Sequence, residues 1–152
     1  MNRRLPRVLF LCTGNSCRSQ MAEGWARALH AGRFAAASAG IETHGLNPRA
    51  VRAMAEAGVD ISRHASKTVA DLGPEPFDLV VTVCGHAHET CPVLPGAPRT
   101  LHRGFDDPPR LAAGLDDEEA AMAPYRRVRD EIRAFVAALP DLLDRLEEGD
   151  RP

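Results

Sequence analysis

At 152 residues, with 19 basic and 21 acidic side chains interspersed to a formal net charge of −2, the chain can bury one real core and needs no linker, which predicts a single domain over residues 1–152. Such balanced charge gives no global field of the kind that nucleic-acid or membrane-surface binding uses, so the expected partner is small, with no nucleic acid and no membrane. The apolar run at residues 8–11 is too short for a secretory signal, and a bulky Leu11 before Cys12 opposes lipoprotein cleavage. No stretch approaches the ~20 apolar residues of a membrane span, so a cytoplasmic protein is predicted, whose four cysteines are reduced by default.

Val8, Leu9, Phe10 and Leu11 form a continuous apolar run, as in a parallel strand buried on both faces. A helix is expected over about Cys17 to Ala31, with Met21, Trp25 and Leu29 recurring every fourth residue beside Ala22 and Ala28, which makes Trp25 a core residue. Phe34 to Ser38 reads as a second strand, followed by loop to Leu46. Asn47 and Pro48 supply an N-cap and a first-turn proline, Val51, Met54 and Ala55 the buried face, and Gly58 a stop. Val59 to His64 is short and polar, and Ser66 to Leu72 predicts one or two helical turns ended by Gly73 and Pro74.

Phe77 to Val83 is the clearest later strand, and Cys84 stands at its carboxyl end. Residues 85–90 have no strong periodicity and can move. Pro92 to Pro98 is loop, Arg99 to Leu101 a last strand, Gly104 to Pro109 a turn, and residues 110–123 a solvated loop or short helix. From Tyr125 a long helix carries Val128, Ile132, Phe135, Val136 and Leu139 on one face, and Pro140 is expected to kink or restart it before Leu142, Leu143 and Leu146. The alternation predicts a three-layer α/β/α fold around a central four-stranded parallel sheet.

The chemistry concentrates in Cys12-Thr13-Gly14-Asn15-Ser16-Cys17-Arg18-Ser19, between the first strand and the first helix. Gly14 permits a tight turn, successive backbone N–H groups can form an anion nest, and the helix adds the positive end of its dipole. Arg18 can grip two oxygens of a tetrahedral anion, and the same field favours the thiolate of Cys12. Nucleophile and oxyanion site, residues 13–18, therefore share one loop. The bland alternative is a buried cysteine in a helix-capping loop.

Cys12 and Cys84 each close a strand, which can place them at one sheet edge. With Cys91 they allow three readings. Zinc could recruit Cys12, Cys17, Cys84, Cys91 or the interposed His86 and His88, although a ligand role would waste the anion cradle. Packing explains any one buried thiol. In a redox reading, a second thiol attacks a thiolate bonded to an oxidised centre and the disulfide passes to a third.

The cradle loop resembles that of the low-molecular-weight protein tyrosine phosphatase fold. More narrowly, Cys12 to Trp25, Ser38-Ala-Gly-Ile-Glu-Thr-His-Gly45, Asp78 to Cys84 with Cys91-Pro92, Gly104-Phe-Asp-Asp-Pro108 and Arg127 to Ile132 are similar to the thioredoxin-coupled arsenate reductases built on that fold, in the same order. The resemblance implies a monomer that reduces arsenate to arsenite with thioredoxin as reductant and no organic cofactor. It implies Cys12 as nucleophile, Arg18 as oxyanion clamp, Cys84 and Cys91 as relay thiols, and Asp107 as general acid, with Asp106 the alternative as a turn cap. Ser19 is suited to hydrogen-bond the Cys12 thiolate, and Cys17 is assigned to packing or loop support. Some family members hold a potassium ion; Asn15, Glu23 and Ser38 match three of its ligands, but Lys67 stands where an acid would complete the set and can act as a tethered cation. Tyrosine phosphatase activity is the first rival, although Asp107 is followed by Pro108-Pro109-Arg110 rather than by aromatics. A non-catalytic oxyanion-binding or zinc-stabilised module is the second.

Overall fold

The computed structural model describes residues 5–84 and 99–149. Four strands, β1 (Arg7–Cys12), β2 (Ala35–Gly40), β3 (Leu79–Thr82) and β4 (Thr100–His102), form one parallel sheet in the order β2-β1-β3-β4. The helices are α1 (Arg18–His30), α2 (Pro48–Glu56), α3 (Pro108–Ala112) and α4 (Glu118–Gly149), with a 3-10 turn at Val69–Leu72. Cys91, His86 and His88 lie outside the described residues. Among the described residues no helix is long and apolar enough to cross a membrane.

β1 is central, and its side chains divide by the two-residue period of a strand. Val8, Phe10 and Cys12 enter the main core with residues of α1, α2 and α4, while Leu9 and Leu11 join Ala39, Phe77 and Val80 on the other face. That second face is covered, among the described residues, by Val69 and Leu72 of the 3-10 turn. A continuous apolar run is what burial on both faces requires.

Both sequence signals at α2 hold: the Asn47 side chain accepts from the backbone N–H of Arg49 and Ala50, with Pro48 in the first turn. On α1 the buried stripe is Met21, Ala22, Trp25 and Ala26, whereas Ala28 is exposed and Leu29 is 37% exposed. Steps of four residues rotate the stripe by about 40° each, so Leu29 has turned away from the face that Met21 presents. Trp25 is buried, and its indole N–H donates to Arg129 O at 3.1 Å.

The larger correction concerns residues 110–123. Asp117 caps α4, its carboxylate accepting from Ala120 N at 3.1 Å, so the helix begins at Glu118 and not at Tyr125. Ala112, Ala121 and Met122 are buried in the main core, and Glu118 and Glu119 pair with Arg49, Arg52 and Arg126. α4 then continues through Pro124 and Pro140 without a restart. Each proline removes one backbone donor, and the buried row Ala121, Tyr125, Val128, Ile132, Val136 and Leu139 holds the helix against α1 and α2.

Candidate active site

The site follows from sheet register. Cys12 pairs with Gly40 across β1 and β2, and Leu11 with Thr82 across β1 and β3. The segments leaving these three strands therefore meet at one carboxyl edge, where α/β sheets bind ligands. The segments after β1 and β2, with Asp107 and Pro109 beyond β4, line a cavity of about 440 Å³ whose wall includes Cys12, Gly14, Cys17, Arg18 and His44.

The cradle is shaped by what holds its carbonyls. Thr13 O accepts from Ile41 N and Glu42 N, Gly14 O from His44 N and Ser66 Oγ, Asn15 O from Gln20 Nε2, Ser16 O from Asn47 N, and Cys17 O from Met21 N. Five successive carbonyls are thus engaged by surrounding elements. In a trans peptide the N–H of the next residue points opposite to the carbonyl, so carbonyls held in this way suit the anion nest expected over residues 13–18, with the amino end of α1 behind it. Two glycines allow the approach. A Cβ at Gly40 would lie 2.6 Å from Thr13 O, and one at Gly14 would lie 2.2 Å from the His44 ring.

Behind the cradle, Asn15 is wholly buried at φ 48° and its amide is saturated. Nδ2 donates to Ser19 Oγ at 3.0 Å and to Ser38 Oγ at 2.9 Å, while Oδ1 accepts from Gln20 Nε2 and Lys67 N, each at 2.9 Å. Ser19 Oγ lies 3.0 Å from Cys12 Sγ. Ser19 accepts from Asn15, and its hydroxyl proton can still be given to a Cys12 thiolate, which only accepts. Ser38 Oγ donates to Glu23 Oε1 at 2.7 Å. The side chain of Asn15 therefore lies behind the cavity wall and not in it.

Arg18 is 6% exposed; its Nη1 donates to Phe105 O at 3.0 Å and its Nη2 lies 3.6 Å from Asp107 Oδ1. Phe105 and Asp107 thereby hold the guanidinium at the cavity wall. Asp107 is the N-cap residue of α3, yet its carboxylate makes no capping bond and faces the cavity. Asp106 turns outward and pairs with Arg127 at 2.9 Å. The two adjacent acids are thus separated by direction.

Cys17 lines the cavity and the core, and burial pushes its thiol well above the usual range, with Arg18 pulling the other way. It stays protonated at neutral pH. Cys84 is buried two residues beyond β3. Val83 N donates to Leu11 O at 3.0 Å, which carries the β1–β3 pairing forward and brings Cys84 to the edge that Cys12 occupies.

The proposed cation position is already furnished. Lys67 Nζ lies 3.5 Å from Glu23 Oε1 and donates to Ala65 O at 3.2 Å, and Arg27 Nη2 lies 3.0 Å from Glu23 Oε2. With the Lys67 ammonium and the Arg27 guanidinium already flanking Glu23, the donor set does not fit a further cation while Lys67 is in place. Among the described residues no group of three His, Cys, Asp or Glu side chains is placed to hold a metal.

His44, Asn47 and Pro109 also line the cavity and were not singled out for the site from the sequence. His44 reaches it because the register sets the loop after Gly40 against the loop after Cys12. Asn47 was legible only as a helix cap.

Residues 7–149 match the family described as low molecular weight phosphotyrosine protein phosphatase. An arsenate reductase of Halalkalibacterium halodurans is 52% identical over 87% of this chain and 91% of its own length, and one of Bacillus subtilis is 52% identical over 82% and 88%. Among solved structures, an arsenate reductase in the phosphate binding state superposes with a TM-score of 0.73 at 30% identity, covering 90% of this chain and 98% of that one. The chain belongs to the low molecular weight phosphotyrosine protein phosphatase family.

Proposed function

We propose that this protein is an arsenate reductase that works as a cytoplasmic, monomeric single domain. The observation that carries the reading is the cradle with its carbonyls held outward and Cys12 at its base. Relatives half identical to it over most of their length carry the same activity by name. Arsenate docks on the amides of residues 14–18 and on Arg18. Cys12 attacks arsenic, an As–O bond breaks, and the oxygen leaves as water with a proton from Asp107. Cys84 then attacks Cys12 Sγ; the S–As bond breaks, its electron pair stays on arsenic, and arsenite departs as a Cys12–Cys84 disulfide forms. Cys91 attacks Cys84 Sγ and frees Cys12. Thioredoxin, or a similar external dithiol, reduces the Cys84–Cys91 disulfide, and no organic cofactor takes part.

A phosphatase would use the same cradle and acid. The structure favours reduction in one respect: Pro109, not an aromatic, forms the wall beyond Asp107, so an aryl ring gains no stacking partner from that side.

Single-cysteine variants test the proposal. Cys12→Ser loses arsenate reduction and aryl phosphate hydrolysis together, whereas Cys84→Ser and Cys91→Ser lose multiple-turnover reduction and keep slow hydrolysis. Equal collapse of hydrolysis in all three would refute the separate relay roles.

A further inference from the structure

Tyr125 lies on α4, outside the cavity wall, and is 1% exposed. A phenylalanine would bury the same ring without the cost of a desolvated hydroxyl, so the hydroxyl must be explained by its partners. Of its two partners, the side chains of Asn47 and Arg49, it is Asn47 that reaches the cradle, its Nδ2 donating to Tyr125 Oη at 3.0 Å. Asn47 is a junction: its Oδ1 caps α2, its backbone N–H donates to Ser16 O at 3.0 Å, and it lines the cavity.

Holding Ser16 O outward turns the Cys17 amide inward. Along the same strap, residues 41–47, Ile41, Glu42 and His44 hold the carbonyls of Thr13 and Gly14. The strap is fixed at one end by β2, through the Cys12–Gly40 register. At the other end it is fixed by Asn47. We propose that Tyr125 is a positioning residue for the oxyanion cradle, acting through Asn47 to set the strap against Ser16 and so to orient the amide that meets the anion.

Burial pushes the Tyr125 hydroxyl above its usual range, so it remains a neutral partner across the working pH range. The inference rests on the reading of the cavity as an oxyanion site, and the test separates the two.

Inorganic phosphate is titrated into reduced wild-type protein and into Tyr125→Phe, Asn47→Ser, the double variant and Trp25→Phe, and arsenate turnover is measured on each. Tyr125→Phe is expected to raise the phosphate Kd and the arsenate KM about five- to tenfold, with kcat within about twofold of wild type. Trp25→Phe removes one hydrogen bond between α1 and α4 and leaves the phosphate Kd unchanged. Asn47→Ser keeps a capping oxygen and weakens binding at least as much, and adding Tyr125→Phe to it changes nothing further. A Tyr125→Phe protein that melts earlier but binds phosphate like wild type overturns the proposal, as does a full additional loss in the double variant. Wild-type protein that binds no phosphate overturns the oxyanion reading and the proposal with it.

Discussion

Ser19 Oγ lies 3.0 Å from Cys12 Sγ while accepting a hydrogen bond from Asn15 Nδ2, which holds the hydroxyl where it can donate to a Cys12 thiolate. A donor held in place stabilises a thiolate more than a thiol. Ser19→Ala is expected to slow iodoacetamide alkylation of Cys12 at neutral pH by about tenfold. An unchanged rate would show that the serine does not serve the nucleophile.

The acids at 106 and 107 differ in direction rather than in chemistry. Asp107→Asn should slow the first displacement, read as aryl phosphate hydrolysis, by about a hundredfold or more, the size of a lost general acid. Asp106→Asn loses a surface ion pair with Arg127 and should stay within about threefold, because exposed pairs contribute little. The reverse order would move the general acid to Asp106.

Lys67 sits beside Glu23 where a bound cation would otherwise be expected. Melting temperature and arsenate turnover should therefore be equal in potassium and sodium chloride at matched ionic strength, and Lys67→Asp should create potassium dependence. Wild-type protein melting several degrees higher in potassium would contradict the tethered ammonium.

His64 supports the same network through Gln20 Oε1 at 3.0 Å. Burial holds its imidazole below the usual range, outweighing the upward pull of Glu23, with Arg27 and Lys67 lowering it further. Between the folded value and the unfolded one, about 6.5, the unfolded chain binds the extra proton. The contribution of the neutral buried ring is thus present above the unfolded value and lost as pH falls through that window. The gap in melting temperature between wild type and His64→Gln should be wider at pH 7.5 than at pH 5.5. A gap that widens on acidification would invert the sign.

Where local pattern and tertiary environment agreed, the sequence was readable. Val8 to Leu11 and Leu79 to Val81 are apolar without alternation because both sheet faces are covered, and Asn47 with Pro48 caps α2 by a purely local bond. The cradle was legible for the same reason, since strand end, glycine, arginine and helix start are close in sequence. The exposure of Leu29 is not legible in the sequence, because an apolar stripe does not reveal where the covering element ends. Residues 110–123 differ from the expected solvated loop because their acidic surface hides the buried Ala112, Ala121 and Met122. Tyr125 and Asn47 are 78 positions apart, and no periodicity encodes a bond of that kind.

The relay is the central claim, and it is tested most directly by incubating fully reduced protein with arsenate and no reductant, then counting arsenite and mapping disulfides after acid quench. The account predicts one arsenite per chain and a Cys84–Cys91 disulfide, with a Cys12–Cys84 disulfide trapped in Cys91→Ser. Reduced thiols throughout, with no arsenite formed, would contradict it.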